Sequence, residues 1–262
     1  MGDFDTAWLD LREAYDRRAL NTDVLNVILR WSASHGKPLR IVDLGCGTGA
    51  AYRHLQSFLP AGSHWTAVDG DHNLLDHAVA RTGATPLRCN LATGLSFIPF
   101  NGFDLATASA FIDLVSANWL DRFIDLIVKN NCAVWLPMTA TVVRNWEPVL
   151  ENDEKLVGLF NGHMQSDKGF GPALGGDAAE YAEKKLNEAG YKVIAGDSDW
   201  VLDQRSADLQ LALLHGYREA ILEIDESHAS WLNAWTEQRR EAIDGHRSTH
   251  RVGHRDIFAT PR

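Results

Sequence analysis

Three glycines at alternate positions follow a short apolar run and precede a helical segment. The run from Ile41 to Leu44 leads into GCGTG at 45–49, and residues 49–59 then have helical periodicity. An apolar run that ends in glycines favours a buried strand, and glycine lets the backbone turn sharply and pass close to a ligand. The first turn of the next helix adds free amide groups at the same place. The sequence therefore predicts a strand, a ligand-binding turn and a helix here.

Strands and helices alternate on both sides of this glycine turn. Alternation at this spacing favours a parallel sheet with helices on both faces. The predicted helices include 73–82 and 119–130, and the predicted strands are 39–44, 64–68, 85–89, 103–108, 132–138, 191–201 and 251–259. The sequence therefore predicts an α/β fold built on seven strands.

The chain of 262 residues is interpreted as one domain with helical additions. A pair of helices is expected before the first strand, a lid after the fifth strand, and further helices between the last two strands. The predicted parts are an N-terminal cap at 1–38, a ligand-binding half at 39–138, a lid at 139–176 and a C-terminal half at 177–262, with a helical insertion at 203–247.

The glycine spacing and an acidic neighbour distinguish two kinds of ligand. Sites for NAD use G-x-G-x-x-G, whereas the glycines here follow G-x-G-x-G, and Asp43 stands two residues ahead of them. A carboxylate is unfavourable beside a pyrophosphate, but it suits a ligand with a sulfonium and an ammonium group. An NAD(P)-dependent oxidoreductase remains the alternative, because it also uses an acidic residue after the second strand.

The segment DLGCGTG at 43–49 resembles the first motif of class I S-adenosylmethionine-dependent methyltransferases. The resemblance covers residues 39–138 and implies a Rossmann-like, mostly parallel sheet of seven strands whose last strand is reversed. It also implies S-adenosylmethionine as cofactor, S-adenosylhomocysteine as product, and methyl transfer by SN2 displacement. This superfamily has no universal catalytic residue, so a non-catalytic S-adenosylmethionine-binding protein stays a further alternative.

The resemblance places cofactor contacts after the first two strands. The residues of the first motif that it implies are Asp43, Gly45, Cys46 and Gly47. Asp69, followed by Gly70, ends the second strand, where the family's acidic residue binds both ribose hydroxyls. A carboxylate can accept both of these hydrogen bonds. Asp71 is interpreted as the N-cap of the following helix.

Further cofactor contacts are implied after the third and fourth strands. Asn90 stands where the family often has an aspartate that binds the adenine amino group, and an amide oxygen can also accept this bond. A turn asparagine is the alternative. Leu91 is expected to pack on the adenine ring, and Ser109 to border the methyl group.

The acceptor is expected at the carboxyl ends of the strands, beneath the lid. Asp113, just past the fourth strand, is a candidate to orient or deprotonate it, with a helix N-cap as the alternative. In the lid, Trp146, His163 and Lys168 are candidate substrate contacts, and His163 is also a candidate base. A packed or solvated histidine is the alternative there. Arg12 is interpreted as a surface residue, with contact to the cofactor carboxylate as the alternative.

The formal net charge of −10 argues against nucleic acid as a partner, because an acidic surface repels phosphates. A small molecule is the expected substrate, and a protein acceptor stays open. The three cysteines form no CxxC pair, which indicates a reducing compartment. No apolar run approaches the roughly 20 residues that cross a bilayer. Since the N-terminus also lacks the pattern of a secretory signal, the protein is expected in the cytoplasm, without a membrane partner.

Histidines 246, 250 and 254 recur every four residues, a spacing that on a helix would form one face. Gly245 and Gly253 disfavour a continuous helix, so no metal site is predicted. The oligomeric state is left undetermined.

Overall fold

The computed structural model describes residues 5–262; the start of the predicted N-terminal cap, Met1 to Phe4, lies outside them, as does that part of the signal-sequence prediction. The helices are α1 (Thr6–Ala19), α2 (Thr22–Ser34), α3 (Ala50–Leu55), α4 (His72–Thr82), α5 (Leu91–Gly94), α6 (Ala117–Lys129), α7 (Asp153–Met164), α8 (Ala178–Glu188), α9 (Ala207–Ile224) and α10 (Ala229–Asp244). The strands are β1 (Arg40–Leu44), β2 (His64–Asp69), β3 (Thr85–Arg88), β4 (Leu105–Thr107), β5 (Ala133–Glu147), β6 (Lys192–Asp197), β7 (Trp200–Leu202) and β8 (Thr249–Thr260).

The strands form a single sheet in the order β3-β2-β1-β4-β5-β8-β6, and β7 pairs with β8 beside this path. Strands β1 to β5 pair in parallel, whereas β8 runs antiparallel to β5, β6 and β7. The predicted α/β fold, with a mostly parallel sheet and a reversed last strand, is confirmed. The strand order reverses between β1 and β4, and in such sheets ligands bind at the carboxyl ends of the strands that flank this point.

Two details of the strands differ from the prediction. The single strand expected at 191–201 is divided into β6 and β7, so the sheet formed by residues 5–262 has eight strands rather than seven. The division falls at Ser198 and Asp199, because the Asp199 carboxylate accepts the amide of His254 at 2.9 Å and also pairs with Arg251. The Asp199 side chain thus takes the place of a backbone carbonyl as the partner of β8. Backbone pairing with β8 resumes only at Trp200.

Strand β5 is also longer than predicted. It continues to Glu147 because β8 pairs with it as far as Thr249, with register shifts between Leu136 and Thr139 and again before Arg144. Residues 139–147 therefore belong to the sheet, and the lid predicted from 139 begins only after them. Such bulges bend a strand and re-aim its side chains.

Helices cover both faces of the sheet. Side chains alternate between the faces of a strand, so Ile41 packs into one core and its neighbour Val42 into the other. Helix α6 shows why the helices bury one side: Trp119, Phe123 and Ile127 recur every four residues and all are buried. A third core joins the end of β5 to α7, α9 and α10.

None of the helices within residues 5–262 combines the length and the apolar character that a membrane crossing requires.

Candidate functional site

A cavity of about 780 Å³ opens at the carboxyl ends of β1, β2 and β4, where the strand order reverses. All nine residues that the sequence predicts as cofactor contacts line it: Asp43, Gly45, Cys46, Gly47, Asp69, Gly70, Asn90, Leu91 and Ser109. Helix α1 closes one side of the cavity through Thr6, Leu9, Arg12 and Asp16. The structure therefore brings together residues from four strand ends and one N-terminal helix.

The glycine turn after β1 needs glycine for conformation and for space. Gly45 and Gly47 have φ values of +62° and +53°, in the left-handed region that other residues adopt only with strain. A Cβ at Gly45 would lie 2.6 Å from the ring of Phe111, and one at Gly47 would lie 3.2 Å from Leu9. The turn thus passes directly beneath α1, and the backbone forms one wall of the cavity.

Asp43, at the end of β1, has a buried carboxylate oxygen, Oδ1, with no hydrogen-bond partner. Burial, and then the negative charge of Asp69, raises the pKa of Asp43 to about 8. A buried polar atom without a partner is costly. A cationic group in the cavity would supply the missing interaction and favour the charged carboxylate.

Asp69, at the end of β2, connects the glycine turn after β1 to the loop that follows β2. One carboxylate oxygen accepts the amide of Gly47 at 3.0 Å, and the other accepts the amide of Asp71 at 3.0 Å. Burial raises the pKa of Asp69, while these backbone hydrogen bonds act in the opposite direction. Asp71 is the N-cap of α4 as predicted, since its side chain accepts from Asn73 and Leu74. Each oxygen of Asp69 keeps a free lone pair for a further donor.

Asn90 combines both interpretations that the sequence allowed. Its side-chain oxygen caps α5 by accepting the amide of Ala92 at 3.0 Å, and the residue also lines the cavity. Leu91 is buried beside it, and its carbonyl accepts the indole N–H of Trp119 at 2.7 Å. The cap and this bond fix both residues in the cavity wall.

Arg12 is not the surface residue that its place in the sequence indicates. Its side chain is 13% exposed, pairs with Asp16 at 2.9 Å, and lies 5.0 Å from the ring centre of Trp200. Asp16 in turn accepts the indole N–H of Trp200 at 3.0 Å. Arg12 and Asp16 therefore present a paired charge to the cavity from α1.

Asp113 lies behind the cavity wall, in a helical turn next to Leu114, which lines the cavity. It does not cap α6, because Ser116 performs that role by accepting the amide of Trp119. Asp113 is 5% exposed, and its Oδ1 has no partner. Burial raises its pKa to about 6.

The three substrate contacts predicted in the lid do not line the cavity. Trp146 is buried in the third core and stacks on His250 with 4.2 Å between ring centres. His163 pairs with Glu223 of α9 at 3.0 Å, and Lys168 binds the hydroxyl of Ser166. Trp146 belongs to β5, and His163 lies on α7, which packs on α9 instead of covering the strand ends.

Another residue of the lid does reach the cavity. Phe170 lines it and packs edge-on against Phe111 and Trp119. Two glycines with positive φ, Gly169 and Gly171, flank it and let the loop turn inward.

His250 and His254 lie on β8, and His246 lies in the turn before it, so the spaced histidines do not share a helix. His250 is buried, with one ring nitrogen 2.9 Å from the hydroxyl of Tyr217 and the other 3.0 Å from the carbonyl of Asn145. Within residues 5–262, no three His, Cys, Asp or Glu side chains are grouped as a metal site would require.

Residues 41–150 match the family profile described as "Methyltransferase domain". No curated protein is significantly similar to the chain in sequence. Among solved structures, a cyclopropane-fatty-acyl-phospholipid synthase-like protein from Lactobacillus casei superposes with a TM-score of 0.53 at 15% identity, over 95% of this chain and 98% of that one.

Two other solved structures are similar at lower TM-scores. A phosphoethanolamine N-methyltransferase 2 from Haemonchus contortus gives a TM-score of 0.42 at 16% identity, over 86% of this chain. This chain spans only 49% of that protein's length. A cyclopropane synthase from Mycobacterium tuberculosis gives 0.48 at 11% identity, over 99% of this chain and 100% of that one.

The family profile begins in β1 and ends just after β5, so it contains the glycine turn and all the strand ends that form the cavity. The similarity to the Lactobacillus casei structure extends the fold over almost the whole chain. Residues 41–150 are therefore similar to a methyltransferase domain, and the fold that contains them is shared over almost the whole chain.

Proposed function

We propose that this protein binds S-adenosylmethionine in the cavity at the strand ends and transfers its methyl group to a small molecule. The observation that carries the proposal is the buried carboxylate oxygen of Asp43, which has no partner and borders the glycine turn. The family match over residues 41–150 supports the same activity.

The residues present fit this cofactor. S-Adenosylmethionine has a sulfonium and an α-ammonium group, and either one near Asp43 offsets the cost of its unpartnered oxygen. The turn at Gly45 and Gly47 leaves the backbone open on the cavity side. The free lone pairs of Asp69 suit two ribose hydroxyls, and those of Asn90 suit an adenine amino group. A pyrophosphate in the same turn would lie against Asp43 and Asp69, which disfavours NAD.

When bound, the cofactor supplies a methyl group that the sulfonium has already activated. The chain then has to hold the acceptor in line with this methyl group and keep water out, because alignment supplies much of the rate. Ser109, Leu114 and Phe170 all line the cavity, and Leu114 is the chain neighbour of Asp113. Asp113, whose pKa burial raises to about 6, does not line the cavity, so we assign it no direct contact with the acceptor.

A small acceptor is favoured over a macromolecular one. Helix α1 and the loop at Phe170 both contribute walls to the cavity, which favours an acceptor small enough to fit inside it. The acidic net charge disfavours nucleic acid. The three cysteines carry free thiols, which supports a cytoplasmic location.

Calorimetric titration with S-adenosylmethionine, S-adenosylhomocysteine and NADH tests the cofactor. We expect the first two to bind and NADH to give no heat. Binding of NADH alone would refute the proposal and favour an oxidoreductase.

Turnover separates an enzyme from a non-catalytic binder. Incubation with S-adenosylmethionine and a panel of small metabolites should form S-adenosylhomocysteine in proportion to the enzyme added. A protein that binds the cofactor but forms no product with amines, carboxylates, phenols or thiols would be a binding protein instead.

A further inference from the structure

A second cavity, of about 330 Å³, lies between helix α2 and the β6 edge of the sheet. We call it the edge cavity. The residues that line it are Val27, Arg30, Trp31, Lys192, Ile194, Phe258 and Thr260. None of them lines the cavity at the strand ends, so the two cavities have separate walls. A ligand in the edge cavity would therefore occupy a site that the proposed methyl transfer does not use.

The periodicities of two strands and one helix bring these side chains together. Phe258 and Thr260 of β8 are two positions apart, and they pair with Ile194 and Lys192 of β6. Alternate residues of a strand point to the same face of a sheet, so these four side chains form one floor. Residues 27, 30 and 31 of α2 are three and four positions apart, which places them on one face of the helix. That face lies over the floor and completes the edge cavity.

Two aromatic rings give the edge cavity an apolar interior. Phe258 is 1% exposed, and the ring of Trp31 meets it edge-on with 5.4 Å between the ring centres. Trp31 itself is only half-buried, as are Val27 and Ile194. A ligand that covers this remaining apolar surface gains stability from its burial, and an aromatic ligand can add edge-on or offset contacts with the rings. The interior therefore suits a flat apolar group.

Arg30 and Lys192 supply positive charge at the same cavity. Both side chains are exposed, and neither forms an ion pair within residues 5–262. No acidic residue of the described chain lines the edge cavity. The formal net charge is −10, so a cavity with two cations and no anion differs in sign from the molecule as a whole. Its local field favours a negatively charged ligand.

The volume of the edge cavity limits the size of this ligand. Ligand sites in proteins range from about 300 to 1,000 Å³, and the edge cavity lies at the lower end of that range. With about 30 Å³ for each water-sized group, it holds roughly ten non-hydrogen atoms. This is the size of one aromatic ring with a short acidic side chain. A carboxylate also matches the guanidinium of Arg30, which can donate two parallel hydrogen bonds to it.

We propose that the edge cavity binds a small aromatic carboxylate, with the ring against Trp31 and Phe258 and the carboxylate bound by Arg30 and Lys192. The hydroxyl of Thr260 is a further donor at the same cavity. The inference does not depend on the proposed methyltransferase function, because the two cavities share no lining residue.

The first test uses the wild-type protein and 3-phenylpropionate, which joins a benzene ring to a carboxylate through a short chain. Three matched compounds are titrated beside it by ligand-observed NMR. The alcohol 3-phenylpropan-1-ol removes the charge, 3-phenylpropylamine reverses it, and propionate removes the ring. We expect 3-phenylpropionate to bind with a Kd of about 1 mM or lower, and at least about 10-fold more tightly than each of the other three. Absence of saturable binding, or equal affinity for the acid and the alcohol, would overturn the proposal.

Two substitutions test the cations. Arg30→Gln and Lys192→Gln should each weaken binding of 3-phenylpropionate about 10-fold and leave binding of the alcohol unchanged. Both residues are exposed, so we expect both variants to fold, and thermal unfolding checks this. Arg240→Gln and Lys129→Gln are matched controls, because these exposed cations line neither cavity. Unchanged affinity in both Arg30→Gln and Lys192→Gln would refute the assignment.

A substitution in the other cavity tests where the probe binds. Gly47→Val adds a side chain to the turn at the strand ends and should leave binding of 3-phenylpropionate unchanged, because Gly47 does not line the edge cavity. If a folded Gly47→Val protein lost this binding, the probe would lie in the cavity at the strand ends and the proposal would be wrong.

Discussion

At the scale of single residues, the surroundings of Asp43 change its pKa in a way that favours binding of a cationic ligand. Its carboxyl is fully buried beside Asp69, and burial is the largest cause of a pKa near 8 instead of the ordinary 3.8. The site thus holds a proton that a cationic ligand would displace. The same residue connects ligand affinity and protein stability to pH.

The affinity for S-adenosylmethionine is expected to rise with pH up to about pH 8 and then to level off, because the sulfonium favours the charged form of Asp43. Calorimetric titration across this range measures the effect. Asp43→Asn should bind more weakly and lose most of the pH dependence. A wild-type affinity that is constant with pH would contradict the role of Asp43.

The stability of the ligand-free protein should change with pH in the opposite direction. The folded pKa of Asp43 is raised, so its stabilising contribution is complete below the unfolded value of 3.8 and is lost as pH rises toward 8. Each pKa unit corresponds to about 1.4 kcal/mol. Denaturant unfolding should therefore show that Asp43→Asn gains free energy of unfolding relative to wild type as pH rises through this window.

Gly47 allows strain to be separated from steric exclusion of the cofactor. Gly47→Val adds a side chain in the cavity at φ +53°, whereas Gly83→Val adds one at φ +70° with no atom within 4 Å of the new Cβ. Both should cost roughly 1–2 kcal/mol in unfolding free energy. Only the change at Gly47 should abolish binding of S-adenosylhomocysteine in a calorimetric titration. Normal binding by a folded Gly47→Val protein would exclude the turn from the site.

At the scale of elements, α1 is held over the cavity by side chains rather than by sheet pairing. Arg53 of α3 connects it to the glycine turn: Nε donates to Glu13 at 2.7 Å, and Nη1 donates to the carbonyl of Thr48 at 2.6 Å. Arg81 of α4 binds Asp10 of the same helix. The hydroxyl of Tyr15 donates to Asp208 at 2.7 Å.

Weakening the contacts that hold α1 over the cavity should increase the dissociation rate of S-adenosylhomocysteine. Glu13→Gln removes the charge of a partly buried pair, which we expect to weaken cofactor affinity by about 1 kcal/mol, mainly through a faster dissociation rate. Stopped-flow displacement of S-adenosylhomocysteine measures this rate. Glu188→Gln, which alters an exposed pair with Lys184 on α8, is the control and should leave the rate unchanged.

At the scale of the whole molecule, the formal net charge of −10 governs which partners approach. An acidic surface repels polyanions at distances beyond direct contact, and salt screens this repulsion. Basic residues that are paired with carboxylates do not reverse this repulsion. Arg255 pairs with Glu183 and Asp197, and Arg251 pairs with Asp199.

Fluorescence anisotropy with labelled tRNA and duplex DNA is expected to show no saturable binding at physiological salt. Lowering the salt should not produce tight binding, because the repulsion then increases. Saturable binding that strengthens at low salt would contradict the choice of a small-molecule acceptor.

The sequence by itself determined the parts of the fold that depend on local pattern. The alternation of apolar and helical segments fixes a mostly parallel sheet, and glycines at positions 45 and 47 mark a turn that only they can adopt without strain. Because parallel strands end at the same edge of a sheet, residues after successive strands had to meet there. For this reason all nine predicted cofactor residues line a single cavity.

Only the tertiary structure decided how far β5 extends and how deeply α1 is buried. The register shift before Arg144 has no local signal, because it depends on pairing with β8, a strand that begins more than one hundred residues later. Arg12 is buried because Trp200, distant in sequence, lies against it. The sequence placed Trp146 and His163 in a lid, whereas Trp146 belongs to the extended β5 and His163 to α7, which packs on α9. Contacts of this kind arise from packing between elements, and no local periodicity encodes them.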